Sequence, residues 1–252
     1  MQDPQYLICF DMDRVLVDHL STWQFVYDKL GISNDESFEL YNQGKLDEWD
    51  WIKLDLELIR NAQNPPINDA ELRDHMEDMP LMKHWNETLS NILQNQAHIA
   101  IISGGLQHSA RRIAAHFPSS EPWKRRWGGI NRQTSLEQCD GKDTQFHVFT
   151  NGWLVESNGS EDGVIGSFGR YQVQMNGKGS IVKMLQRRLK IPKSRTASIG
   201  DSAGDIGMFE ESLHSICFNP WNEIPQKIAT HTIFERDLLL VYQYLKQSFG
   251  WQ

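Results

Sequence analysis

Cysteine is scarce, with three residues in 252, at Cys9, Cys139 and Cys217. They are odd in number and far apart, so neither a disulfide framework nor a thiolate metal site is expected. A reducing, cytoplasmic setting is the simplest expectation. Basic residues are outnumbered, 25 against 33 acids, and the net charge is −8. A chain of that sign is not expected to bind nucleic acid through its overall field. No apolar run approaches the roughly 20 residues of a membrane span. The N-terminus "MQDPQYLICFDMD" has no basic stretch followed by a long apolar one, so no signal peptide is expected. There are no internal repeats. What remains is a chain of ordinary globular composition, 39% hydrophobic, long enough for one large domain or a domain carrying a smaller insertion.

Three short apolar runs organise the chain, and each ends in polar residues. "YLICF" runs into Asp11 and Asp13, "AHIAIIS" into Ser103, Gly104 and Gly105, and "RTASIG" into Asp201 and Asp205. Runs of this length, rich in strand formers and without alternation, read as strands buried on both faces. Helical periodicity lies between them. "STWQFVYDKLG" has a Ser/Thr start and a Gly stop, and "DEWDWIKLDLELIRNA" carries Trp51, Leu54 and Leu58 on one face. "NPPIND" interrupts, and "NDAELRDHMEDM" resumes. "HWNETLSNILQNQ", "LQHSARRIAAHF", "GKGSIVKMLQRRLK" and "ERDLLLVYQYLKQSFG" are further helices. "FHVFTNGWLVES" and "GVIGSFGRYQV" flank turn signals and predict a β-hairpin near 146–171. "HSICFNP" and "THTIF" read as short strands. Residues 118–145, rich in Pro, Gly, Trp and polar side chains, read as an irregular insertion. The alternation predicts an α/β fold, a Rossmann-like parallel sheet with helices on both faces. Residues 1–16 and 81–252 would form this core, and 17–80 a mostly helical cap.

Ligands of such sheets bind beyond the carboxyl ends of the strands. Asp11/Asp13, Ser103/Gly104/Gly105 and Asp201/Asp205 all lie there, and Lys178 opens the helix after the hairpin. Up to four carboxylates in one crevice repel one another unless a cation offsets them. Oxygen-only donors suit magnesium. A Ser hydroxyl, backbone N–H groups and a lysine make an anion site. Together these are the parts of a phosphoryl-transfer apparatus.

These residues also carry a family resemblance. "DMDRVLVD", "ISGG", "NGKG" and "GDSAGD" resemble, in order, the four motifs of haloacid dehalogenase (HAD) superfamily phosphatases. "VFTNGWLVES", "ICFNP" and "TIFERDLLLVYQYL" resemble the phosphoserine phosphatase branch. The resemblance implies a magnesium-dependent hydrolase of a small phosphorylated metabolite. Asp11 would be the nucleophile and Asp13 the acid/base. Ser103 and the Gly104 N–H would bind phosphate, and Lys178 would neutralise charge. Asp11, Asp201 and the Asp13 carbonyl would hold Mg2+, with Asp205 supporting the metal through water or directly. A mobile cap would cover the site.

Four positions depart from the family's pattern, the smallest difference being Gly204, where the family often has Asn. Leu20 stands where the phosphoserine phosphatase branch has a Glu that reads the substrate amine. Lys53 aligns with an Arg that holds the substrate carboxylate, but lacks the Arg fork. Arg14 follows the acid/base where small residues are common, and could meet the cap, Asp18 or the substrate. Lys53 and Arg14 are thus the candidate substrate contacts, and the substrate stays open among phosphoserine, a phosphorylated sugar and other phosphorylated acids. Transfer to an acceptor other than water, and a binding protein without turnover, are the alternatives.

Blander readings exist for each residue. Ser103 could simply cap a helix, and Lys53 could be a solvated surface lysine. Lys142 and Lys183 are rival lysines to Lys178. Trp49 and Trp51 could stack on a ligand or pack internally. "WKRRW" at 123–127 reads as a solvated loop or an oligomer contact. No nucleic-acid or membrane partner is expected, and self-association is left open.

Overall fold

The computed structural model describes residues 5–117, 145–156 and 163–252. The insertion expected at 118–145, with "WKRRW", Cys139 and Lys142, lies outside them apart from Gln145. A seven-stranded sheet runs in the order β4-β3-β2-β1-β5-β6-β7. Its strands are β1 (Tyr6–Phe10), β2 (Ala97–Leu106), β3 (Phe146–Glu156), β4 (Val164–Arg170), β5 (Thr196–Gly200), β6 (His214–Phe218) and β7 (His231–Ile233). All neighbours pair parallel except β3 and β4, which form the antiparallel hairpin expected from the turn signals. Strand β1 is central, with Tyr6 opposite Ala97 of β2 and Leu7 opposite Thr196 of β5.

The period-2 alternation of β1 divides the core. Ile8 and Phe10 point into one apolar cluster, Leu7 and Cys9 into another on the opposite face. On the first face lie α5 (Trp85–Gln94), α6 (Gln107–Ala114) and α10 (Leu238–Phe249). On the second lie α7 (Lys178–Leu189) and the short α8 (Ile206–Glu210). Burial on both faces explains why β1, β2 and β5 show no alternation of exposed polar residues.

Helices α1 (Thr22–Leu30), α2 (Asp35–Asn42), α3 (Glu48–Arg60) and α4 (Asp69–His75) follow β1. Their termini are legible in the sequence. Ser21 accepts from the Gln24 N–H at 2.9 Å, and Gly31 ends α1 at φ 65°. Asn68 and Glu71 form a reciprocal capping box on α4. Val26, Leu56, Ile59 and Leu72 join the same apolar cluster as Ile8 and Phe10, so this helical segment shares one core with the sheet. Helix α3 crosses β4 at Gly169, where a Cβ would come within 2.4 Å of Leu56 Cδ1. The small α9 (Glu223–Gln226) sits between β6 and β7. Among the described residues, no helix is long and apolar enough to cross a membrane.

Candidate active site

The residues at the strand ends converge. Asp11 follows β1 directly, and Asp201 follows β5. Lys178, the first residue of α7, reaches between them from the second face of the sheet. Its Nζ donates to Asp205 Oδ1 at 2.7 Å and lies 2.9 Å from Asp11 Oδ1. All three side chains are buried. Asp205 is fully committed: its Oδ2 accepts from the Asp201 N–H at 2.9 Å and from the Ser202 N–H at 3.1 Å and hydroxyl at 3.2 Å. It therefore holds both the loop that carries Asp201 and the ammonium that faces Asp11. The rival Lys183 pairs with Glu211 on the surface.

Oxygens of Asp11, Asp201 and Asp205 lie within 4.8 Å of one another. Burial pushes Asp11 up to about 6, with Lys178 pulling down and Asp205 adding to the rise. Burial, then the charges of Asp11 and Asp205, pushes Asp201 up to about 8. Burial alone would lower Lys178, but Asp11 and Asp205 outweigh it and hold the ammonium above its ordinary range. Lys178 and Arg14, which pairs with Asp201, do not balance the carboxyls of Asp11, Asp13, Asp201 and Asp205, and a divalent cation with oxygen ligands would offset the excess negative charge. The donor set fits such an ion.

Asp13 is held separately. Its Oδ1 accepts from the Thr22 N–H at 3.0 Å, at the start of α1, where backbone donors and the helix dipole favour a carboxylate. The Thr22 hydroxyl in turn accepts from the Leu106 N–H at 2.7 Å, tying α1 to the end of β2. Burial and the charge of Asp11 nevertheless push Asp13 up to about 7. Across from it, Ser103 is buried and its Oγ accepts from the Gly105 N–H at 3.2 Å. Gly105 leaves room for Asp13: a Cβ there would come within 2.6 Å of Met12 Cε and Thr22 Oγ1 and 2.7 Å of Asp13 Oδ2, so a side chain would displace them.

The two candidate substrate contacts lie elsewhere. On α3, Glu48, Trp51, Ile52 and Asp55 border the pocket, a stripe at helical spacing. Lys53 falls off that stripe, pairs with Asp50 one turn back, and lies 5.7 Å from the Trp49 ring centroid. Arg14 turns under the site. Its Nε donates to Asp201 Oδ2 at 2.9 Å, its Nη2 to the Asn219 carbonyl at 2.9 Å, and its guanidinium lies 4.9 Å from the Trp221 ring centroid. The residue has φ 61°, and the Asn219 amide returns a bond to its carbonyl. Asp18 pairs instead with Arg236. His19 bonds the Ser21 carbonyl and packs edge-on to Phe25.

Above the acids is a cavity of about 700 Å³. Its border includes Asp11, Asp13, Ser103, Gly104, Gly105 and Lys178 below, and side chains of α1–α3 above. Several residues that sequence reasoning passed over shape it. Asp55 is buried and accepts from the Tyr27 hydroxyl at 2.6 Å, the Ser37 hydroxyl at 2.5 Å and the Asn34 amide at 3.0 Å. Burial raises its carboxyl, against those three donors. Asn151 on β3 clamps the segment after β4 through Gln172 and Val173. No spacing in the sequence marks either residue, because their partners are distant in the chain.

Comparison with known proteins agrees with this arrangement. Residues 173–237, which contain Lys178, Asp201 and Asp205, match the haloacid dehalogenase-like hydrolase family. A protein of Mycoplasma pneumoniae, provisionally described as a phosphatase, is 22% identical over 241 residues, covering 89% of this chain and 78% of its own. A substrate-bound phosphoserine phosphatase structure superposes with a TM-score of 0.69 at 19% identity, covering 96% of this chain and 99% of the other. A HAD family hydrolase from Salmonella enterica serovar Typhi superposes with a TM-score of 0.67 at 21% identity, covering 94% and 70%. The chain thus shares the fold of the phosphoserine phosphatases over nearly its whole length, and its C-terminal motifs match the haloacid dehalogenase-like hydrolase model.

Proposed function

We propose that the protein is a magnesium-dependent phosphomonoester hydrolase that works through a phosphorylated Asp11. The observation that carries this reading is the buried Lys178, bonded to Asp205 and paired with Asp11 at the mouth of β1. A lysine so placed orients one carboxylate oxygen and compensates negative charge beside it. The Met12 N–H, 2.7 Å from the same Asp11 oxygen, helps to fix the group. The second oxygen is the one we assign to attack.

In the first step the Asp11 carboxylate bonds to phosphorus and the ester P–O bond breaks. Asp13 gives its proton to the leaving alkoxide, so an alcohol departs. A carboxyl pushed up to about 7 can give a proton and later take one back near neutral pH. In the second step ionised Asp13 takes a proton from water, the oxygen bonds to phosphorus, and the bond to Asp11 breaks. Phosphate leaves and Asp13 is protonated again. Ser103 and the Gly104 N–H would hold the phosphoryl oxygens throughout. Asp11, Asp201 and the Asp13 carbonyl would hold the magnesium ion, with Asp205 supporting them through the loop it fixes. Bound there, the ion supplies positive charge that brings phosphate and acids together. Residues 17–80 would serve as the cap that excludes bulk water.

A p-nitrophenyl phosphate assay with Mg2+ tests the proposal. Turnover should be present in the native chain and lost in Asp11→Asn. Release no faster than that variant would remove the phosphatase reading.

A further inference from the structure

We propose that the substrate is a phosphomonoester whose alcohol part carries no second anionic group, with a cationic group favoured over a neutral one. The inference rests on the phosphatase reading above and concerns the wall of the pocket rather than its floor. Among the described residues bordering the cavity, Lys178 is the one lysine or arginine, and it is committed to Asp11 and Asp205. The charged residues of the upper wall are Asp35, Glu48 and Asp55. All three are acids. Asp55 is satisfied by three donors, and Glu48 Oε2 accepts from the Tyr171 hydroxyl at 2.7 Å and the Met175 N–H at 2.9 Å. These bonds keep the acids in place but add no positive charge.

A substrate carboxylate would thus lose its water without gaining a cation, and would face three acids. Lys53, the residue the family resemblance offered for that carboxylate, does not border the cavity. The remaining wall mixes neutral polar side chains such as Gln24, Asn34 and Asn222 with apolar ones, and the apolar part is open to the solvent: Phe38 is 47% exposed, Trp221 57% and Met175 46%, with Trp51 stacked on Tyr41. Exposed aromatic faces beside acids suit an alkylammonium or a bulky apolar group. A cavity of about 700 Å³ leaves room for it.

O-Phosphoserine and O-phosphoethanolamine differ only by the carboxylate, so their kcat/KM ratio reads the preference directly. Phosphoethanolamine should exceed phosphoserine by about tenfold or more, since an unpaired charged group is strongly rejected. Phosphocholine should do at least as well as phosphoethanolamine, because its methyl groups meet the aromatic faces. Where turnover is too slow to follow, the inhibition constant against p-nitrophenyl phosphate hydrolysis gives the same ranking. Asp35→Lys should shift the ratio several-fold towards phosphoserine, and Trp51→Ala should raise KM for naphthyl phosphate more than it lowers kcat. Phosphoserine used as well as phosphoethanolamine, with p-nitrophenyl phosphate still hydrolysed, overturns this inference and leaves the phosphatase reading standing. Loss of all turnover, p-nitrophenyl phosphate included, overturns both.

Discussion

Replacing Lys178 with Met keeps most of the buried stem and removes the charge. The ammonium compensates Asp11 at 2.9 Å and Asp205 at 2.7 Å, with side-chain exposures of 8% for the lysine and at most 7% for the acids. Removing one partner of a buried ion pair costs about 3–5 kcal/mol, because the charge left behind has lost both water and partner. Here two acids are left, and Asp201 adds a third nearby. The cost should be largest at pH 8, where the acids must ionise. It should shrink at pH 6, because without Lys178, the strongest downward influence on Asp11, that carboxyl can take a proton instead. Urea unfolding of the metal-free native and Lys178→Met proteins at the two pH values measures both quantities. Turnover with Mg2+ should fall by about 10² or more, from the loss of charge stabilisation. A destabilisation below about 1 kcal/mol at pH 8 would refute the reasoning, since so buried a pair cannot be that weakly coupled.

Three further outcomes follow from the same geometry. Asp13 and Asp201 are raised to about 7 and about 8, so the folded metal-free protein binds more protons than the unfolded chain. Their contribution is present at low pH and is lost as the pH rises through those values. Between pH 6.5 and 8.5 the metal-free protein should lose about 2 kcal/mol in urea unfolding, above the range where His147 and His108, lowered chiefly by burial, act in the opposite direction. A midpoint that rises over this interval contradicts the assignment. Asp55→Ala should cost about 2–3 kcal/mol by thermal or urea unfolding, because the buried Tyr27 hydroxyl loses its acceptor at 2.6 Å; a neutral effect would mean that water replaces the carboxylate. Arg14→Ala should cost about 2 kcal/mol and Arg14→Gly about 1 kcal/mol, since glycine adopts φ 61° without strain. Equal losses in the two variants would show that the left-handed backbone carries no cost.

The parts of the site that lie at strand ends were legible because topology alone brings them together. Asp11, Ser103 and Asp201 each follow an apolar run, and parallel strands deliver their carboxyl ends to one edge. Lys178 was legible as the first residue of a helix after a Gly-rich turn. The wall was not, for a geometric reason. A one-residue step on a helix turns a side chain by about 100°, so an alignment that places Lys53 two residues beyond Trp51 moves it out of the pocket. Arg14 shows a second limit. Its partners Asp201 and Asn219 are 187 and 205 positions away, with Trp221 just beyond, and nothing local says which of the directions open to it the side chain takes. Asp55 reads from sequence as one more acid on an amphipathic helix, and only the packing of α1 and α2 onto α3 makes it a buried acceptor.

Floor and wall are therefore specified by different physics. The floor is built of short ionic contacts among buried groups, where a change in one charge alters the protonation of its neighbours. The wall comes from α1–α3, from 171–175 and from Trp221 and Asn222, and its fixed points are hydrogen bonds to carboxylates and packing. Glu48 ties α3 to Tyr171 and Met175, and Tyr41 stacks on Trp51 with ring centroids 4.5 Å apart. Phe38 and Met175 project from this frame, being 46–47% exposed. Their substitution should change which phosphate esters are used while leaving the fold and the ionic floor intact. A protein built this way can keep the architecture of the phosphoserine phosphatases while presenting their carboxylate-bearing substrate with a wall of acids and aromatic faces.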